Sequence, residues 1–127
     1  MPESSESDRR KAAALPDWFA KARLVQALEY RWEIYLRCQF CGATKTWRRD
    51  IMLGRLRKSL NMTFAEIQRR ARCERCQGAM PIMGTSGPQE PGSCADVWRR
   101  EVIEVLLDAG LSPADYGYGW RPQAHVR

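Results

Sequence analysis

Four of the five cysteines fall in two Cys-x-x-Cys pairs, "RCQFCG" at residues 37–42 and "RCERCQG" at residues 72–78. A two-residue spacer turns both sulfurs of a pair to the same side, so each pair supplies half of a four-thiolate site. Cys38, Cys41, Cys73 and Cys76 are therefore the candidate metal ligands. A glycine relieves strain where a knuckle turns back, and Gly42 directly follows the first pair while Gly78 lies two residues beyond the second. With four thiolates and no open coordination position, the ion is expected to be structural rather than catalytic. One Zn2+ per chain is the expected cofactor; an iron site, a redox pair or free buried thiols are the alternatives. The 31 residues between the pairs exceed the usual spacer. Doubling a closed loop costs only about 0.6 kcal/mol, against roughly 10–16 kcal/mol for a structural zinc site, so the spacing is permitted.

Composition narrows what surrounds this site. A chain of 127 residues, 44% hydrophobic with five tryptophans, has material for one modest core. No apolar run reaches membrane-spanning length, and no basic segment leads into a short apolar stretch, so the expectation is a cytoplasmic protein without membrane contact. An odd cysteine count with no sign of export argues against a disulfide framework. Catalytic constellations are missing too. His125, the single histidine, is third from the end, and no phosphate-binding glycine loop or carboxylate cluster is present. Glu101, Glu104 and Asp108 share a helical face opposite Trp98 and Val102 and read as solvated; Cys94 reads as an ordinary free cysteine. A thioredoxin-type pair should open a helix after a core strand, whereas both pairs here interrupt hairpins. The chain is expected to be no enzyme and to take no small-molecule substrate.

The elements that must position the cysteines follow from periodicity. Residues 1–16 are polar and without an apolar period, the pattern of a disordered arm. Phe19, Leu24 and Leu28 predict a short amphipathic helix behind Asp17, and alternation of Tyr30, Trp32, Ile34 and Leu36 with charged residues predicts a strand running into Cys38. A second strand carries Thr44 and Thr46 on one face. Leu53, Leu56 and Leu60 predict a helix with Asp50 as cap, and the capping box of Thr63 and Glu66 opens another short helix before Cys73. Residues 79–83 close the unit as a strand. The fold class is thus α+β, with knuckle or zinc-ribbon-like hairpins bracketing two short helices in a metal-binding domain over 17–83. Residues 84–93 read as a Gly/Pro/Ser-rich linker, and 94–127 as a C-terminal helix and tail. Ser93 and Asp96 are its expected capping pair, Trp98, Val102, Val105 and Ala109 its apolar face, and Gly110 its end. Ser112 and Pro113 predict one further turn.

The net charge of +6 is unevenly distributed. Residues 37–76 hold eleven Lys/Arg against three Asp/Glu, while the segments on either side are balanced or slightly acidic. Zinc with four thiolates carries a net −2, so Arg37, Arg72 and Arg75 beside the ligands have a local role in offsetting it. Arg48, Arg49, Arg55, Arg57, Lys58, Arg69 and Arg70 lie outside the knuckles and are the candidate nucleic-acid-binding residues, with Trp47 or Tyr35 available to stack on a base or cover the core. The leading functional expectation is a nucleic-acid-binding or regulatory factor, without a choice between DNA and RNA. The alternative is an adaptor that binds an acidic protein partner through the same face.

"CQFCG" followed by a helix and then "MTFAEIQRRARCERCQG" resembles a group of small, largely uncharacterised zinc-knuckle proteins of alphaproteobacteria. In these a Cys-x-x-Cys-Gly and an Arg-x-Arg-Cys-x-x-Cys-Gly bracket two short helices. The likeness covers about residues 30–83, and this chain differs in placing Gln77 before Gly78. The resemblance implies a zinc-stabilised fold and no particular activity.

Overall fold

Alternating side chains in two short segments become a hairpin in the computed structural model, which describes residues 5–78, 81–86 and 92–118. Strand β1 (Ile34–Arg37) pairs antiparallel with β2 (Thr44–Trp47) on one side and β3 (Ile82–Thr85) on the other. The sheet order is β2-β1-β3. Opposed residues share a face, so the registers Ile34↔Trp47, Leu36↔Lys45 and Leu36↔Met83 put Ile34, Leu36, Trp47 and Met83 on the core side, with Lys45 at its edge. Tyr35 and Arg37 point to the other side and are exposed.

Helices α1 (Glu6–Ala13), α2 (Asp17–Lys21), α3 (Leu24–Glu29), α4 (Arg49–Leu53), α5 (Phe64–Arg70) and α6 (Ala95–Asp108) complete the α+β fold, with 3₁₀ turns at Arg57–Ser59, Gly92–Cys94 and Pro113–Tyr116. One core joins them. The rings of Phe19 and Phe64 stack at 4.4 Å, Trp32 meets Phe19 edge-on, and Ile34, Trp47, Met52, Leu60, Val102, Ile103 and Leu106 close around them. Among the described residues no helix is long and apolar enough to cross a membrane.

Several elements depart from the periodicity reading, each for a local reason. The helix expected from Asp17 through Leu28 is two helices. At the joint, Arg23 is extended and bridges Thr63, Leu24 N–H donates to Met62 O and Val25 N–H to Leu60 O, so strand-like pairing replaces helical bonding there. The strand expected from Tyr30 begins at Ile34, because Tyr30 caps α3 and Arg31 turns the chain at φ +63°. Leu53, Leu56 and Leu60 do not share one helix: α4 ends at Gly54, where the missing side chain weakens helix propensity, and a 3₁₀ turn follows. Asp50 lies in the first turn of α4 rather than at its cap. By contrast, Thr63 and Glu66 form the expected reciprocal cap of α5.

The N-terminal arm expected to be disordered contains α1; residues 1–4 lie outside the described part. Ser5 Oγ accepts from Asp8 N–H at 3.1 Å, and the Glu6–Arg10 pair follows the favourable helical order. Docking is mainly polar. Gln68 Nε2 donates to both Ala13 O and Pro81 O at 2.8 Å, and Gln39 Nε2 donates to Arg9 O at 3.1 Å. With only Ala13 buried, α1 shows no apolar stripe for a sequence reading to detect.

The expected linker is shortened by structure at both ends: Gly84 and Thr85 belong to β3, and Gly92 opens a 3₁₀ turn, while residues 87–91 lie outside the described part. Helix α6 enters from that turn with Cys94 at its N-cap and no capping side chain, so the expected Ser93–Asp96 pair does not form the cap. Its buried side chains are Val102, Ile103 and Leu106, with Trp98 and Val105 half-buried, a stripe rotated from the expected one because α6 lies on α3. Glu101, expected to be solvated, pairs with Arg31, whose guanidinium also covers Trp98 at 4.8 Å. At the other end Gly110 (φ +79°) donates to Leu107 O and Leu111 to Leu106 O, a Schellman ending. The Arg57 guanidinium donates to Ala109 O beside it. Because α6 shares the core, Leu106→Ala should lower stability by about 2–5 kcal/mol while leaving one cooperative transition in urea; a separate early transition for α6 would show that it is not part of this unit.

Candidate metal centre

The two knuckles are built alike. After β1, Cys38 N–H donates to Ala43 O at 2.9 Å and Gly42 N–H returns to Cys38 O at 3.1 Å; after α5, Cys73 N–H donates to Gly78 O at 3.0 Å and Gln77 N–H returns to Cys73 O at 2.8 Å. The left-handed position that closes each loop is held by Gly42 (φ +75°) in the first and by Gln77 (φ +63°) in the second. Gly78 therefore does not provide the turn. Its lack of a side chain makes room for Phe40, since a Cβ there would lie 2.3 Å from Phe40 Cδ2. Arg9 lies over the other part of this contact, 4.4 Å from the Phe40 ring centre.

Together the knuckles bring Cys38, Cys41, Cys73 and Cys76 within 4.8 Å of one another. Sulfurs of opposite knuckles are closest, Cys38 to Cys76 at 3.4 Å and Cys41 to Cys73 at 3.5 Å. A tetrahedral ion with thiolate bonds of about 2.3 Å needs sulfur–sulfur edges of about 3.8 Å, so the donor set fits a metal ion with small adjustments. Cys94 is exposed at the start of α6 and is not one of the four.

Backbone donors prepare part of the set. The Cys38 thiol is lowered to about 6, first by the Cys41 backbone N–H and further by the Phe40 N–H at 3.4 Å and neighbouring sulfurs. Cys73 is lowered by the N–H groups of Cys76 and Arg75. The Gly78 N–H acts to lower Cys76 as well, but the Cys38 sulfur, desolvation and the sulfurs of Cys41 and Cys73 together push it up to about 12. Four anionic sulfurs cannot gather without a cation, and a divalent ion reverses that balance.

The seven candidate nucleic-acid-binding residues divide into two groups. Arg48 pairs with Glu33 at 2.8 Å, Arg55 with Glu74 at 3.0 Å, and Arg57 holds the end of α6. Arg49, Lys58, Arg69 and Arg70 are exposed and, among the described residues, have no hydrogen-bond or ion-pair partner for their side chains. The aromatic candidates divide too: Trp47 is buried in the core, whereas Tyr35 is exposed and its hydroxyl donates to Glu33 at 3.0 Å, which raises its pKa.

Between β2, α5 and the second knuckle lies a cleft of about 540 Å³. Leu36, Trp47, Ile51, Leu56 and Ile67 line its apolar part, and Lys45, Arg55, Arg70, Arg72 and Arg75 its basic part. Among the described residues Glu74 is the one acidic side chain there; Lys45, then Arg55, hold its carboxyl below the usual range. Lys45 was not among the basic candidates, though its alternation with Trp47 already sets it on the core side of β2. Comparison with protein-family models, with curated proteins and with solved structures finds no match for the chain.

Two measurements check the centre. Zn2+ titrated into metal-free protein at pH 7 should release at least one proton per chain, because Cys76 holds its proton until the ion displaces it; calorimetry in two buffers of different ionisation heat reads this. Affinity should accordingly weaken as pH falls, and a proton-neutral titration would place the ion elsewhere. Gly42→Ala should cost about 1–2 kcal/mol in thermal unfolding, whereas Gln77→Gly should be neutral or stabilising, since each knuckle needs a left-handed residue at that place.

Proposed function

We propose that this chain is a non-enzymatic nucleic-acid-binding or regulatory factor, held in shape by one structural Zn2+ on Cys38, Cys41, Cys73 and Cys76. Four soft thiolate donors gathered within 4.8 Å of one another suit zinc, and a closed four-thiolate set leaves no position for a substrate or a reactive water. Reduced thiols of this kind fit a cytoplasmic setting. The zinc would tie the two knuckles together and thereby hold the intervening basic segment against the sheet.

The observation that carries the nucleic-acid reading is the set of exposed cations whose side chains, among the described residues, make no hydrogen bond or ion pair. Arg49, Lys58, Arg69 and Arg70, with Arg75 on the second knuckle, are exposed, and although the Glu66 carboxylate attracts Arg69 and Arg70, phosphates can meet all five without breaking an internal hydrogen bond. Arg57 belongs to the fold instead, and its replacement should loosen α6 rather than test binding.

Binding to a labelled oligonucleotide should fall with salt on a log–log line whose slope is near −0.9 for each phosphate neutralised on duplex, or about −0.7 on single strands. Replacing Arg69 and Arg70 with Ala should reduce that slope by roughly two contacts while the melting curve stays within about 1 kcal/mol of the parent. Binding that is absent even at low salt would sink this reading and leave the adaptor for an acidic protein, which saturates with one partner and ignores nucleic acid.

A further inference from the structure

The cleft beside the second knuckle combines two features that a merely solvated basic face lacks. It has volume, about 540 Å³ including the space beside Cys38 and Cys73, within the range that admits a ligand the size of a nucleotide. It also has an apolar lining, to which Trp47, Ile51 and Leu56 contribute, next to a basic one. The register of the sheet explains the juxtaposition: Lys45 stands opposite Leu36 and two residues from Trp47 on the same face, so its ammonium lies where the core side of the sheet opens to solvent. Arg70 and Arg72 arrive from the end of α5, and Arg75 from the knuckle.

Glu74 occupies a telling place in this arrangement. One of its oxygens, Oε1, meets both Lys45 Nζ and Arg55 Nη2, the latter at 3.0 Å, so a single anionic oxygen bridges a cation from β2 and a cation from the segment after α4. Arg55 and Glu74 are well exposed, at 65% and 61%, and Lys45 is half-buried, its side chain 37% exposed. Exposed ion pairs of this kind contribute little to stability and open readily. A phosphodiester presents the same anionic oxygens with greater bidentate reach toward an arginine.

We infer that the cleft receives one unpaired nucleotide of a single-stranded nucleic acid, its base against the apolar lining and its phosphate in the place of the Glu74 carboxylate between Lys45 and Arg55. The inference rests on the nucleic-acid reading above and adds a strand class and a binding pose to it. A base in a duplex is stacked and paired and does not enter such a cleft, whereas a splayed base gains contact with the apolar lining. Glu74 is then an internal competitor that an incoming phosphate displaces.

The test compares two 15-residue oligomers of equal charge, oligo-dT and a wholly abasic deoxyribose-phosphate chain, by fluorescence anisotropy on the zinc-loaded full-length protein at low salt. Oligo-dT should bind at least about fivefold more tightly than the abasic chain. Glu74→Gln should raise oligo-dT affinity severalfold, whereas Glu104→Gln, an exposed charge on α6 outside the cleft, should change it less than twofold. Equal affinity for the two oligomers overturns the inference and leaves general phosphate binding intact. A base preference with Glu74→Gln no different from Glu104→Gln also overturns it, since the base would then lie elsewhere. No binding of either oligomer, or of a duplex of the same length, removes the underlying nucleic-acid reading itself.

Discussion

The convergence of four sulfurs from two distant knuckles is the constraint on which the rest of the molecule depends. Each knuckle is a small loop closed by two backbone hydrogen bonds, and neither holds a tetrahedral site by itself. Bringing them together closes the loop of residues 38–76, which contains β2, α4 and α5. The loop-closure entropy grows only logarithmically with length, so a long intervening segment is a small penalty against coordination. The first knuckle serves a second purpose: Phe40 and Gln39 receive α1, so the N-terminal helix is seated on the site from outside.

Around this centre the aromatic core and the cations have separate roles. Phe19, Trp32, Phe64 and the sheet residues Ile34 and Trp47 form one packed body that also takes in α6. The basic excess lies on the other side of the balance. Some of it is used internally: Arg31 on Glu101 and Trp98, Arg48 on Glu33, and Arg57 at the carbonyl end of α6, where a positive charge complements the helix dipole. Exposed cations whose side chains make no hydrogen bond or ion pair among the described residues include Arg49 on α4, Lys58 in the turn after it, Arg69 and Arg70 on α5 and Arg75 on the second knuckle. Glu74 binds two further cations, Lys45 and Arg55, and Glu66 attracts Arg69 and Arg70 at longer range.

Much of this was legible in advance where one residue type or a short period carries the information. The Cys-x-x-Cys pairs, the alternation at Ile34 and Leu36, and the Thr63–Glu66 box describe local geometry, and local geometry was realised. The reading failed where distant partners outweighed local pattern. The break at Arg23 comes from pairing with the segment at Met62–Thr63, and α1 exists through side-chain hydrogen bonds to Gln39 and Gln68 rather than through an apolar stripe. The glycine rule was half right: Gly42 does take the left-handed turn, but in the second knuckle Gln77 takes it, and Gly78 serves a contact with Phe40 from the opposite knuckle.

The sequence by itself determined the candidate ligand set and the charge asymmetry, because thiolate chemistry and formal charge reside in residue types and survive any arrangement of the chain. It also determined most of the short elements, whose periods of two and 3.6 residues follow from backbone geometry. Only the tertiary structure decided which cations are committed and which are free, since an arginine's partner lies 19 residues away for Arg55 and 52 for Arg57. It alone decided that Lys45, Arg70, Arg72 and Arg75 share a cleft with Trp47 and Ile51. Such a site depends on strand register and on where α5 meets the knuckle, and those are set by packing and sulfur convergence across the whole chain.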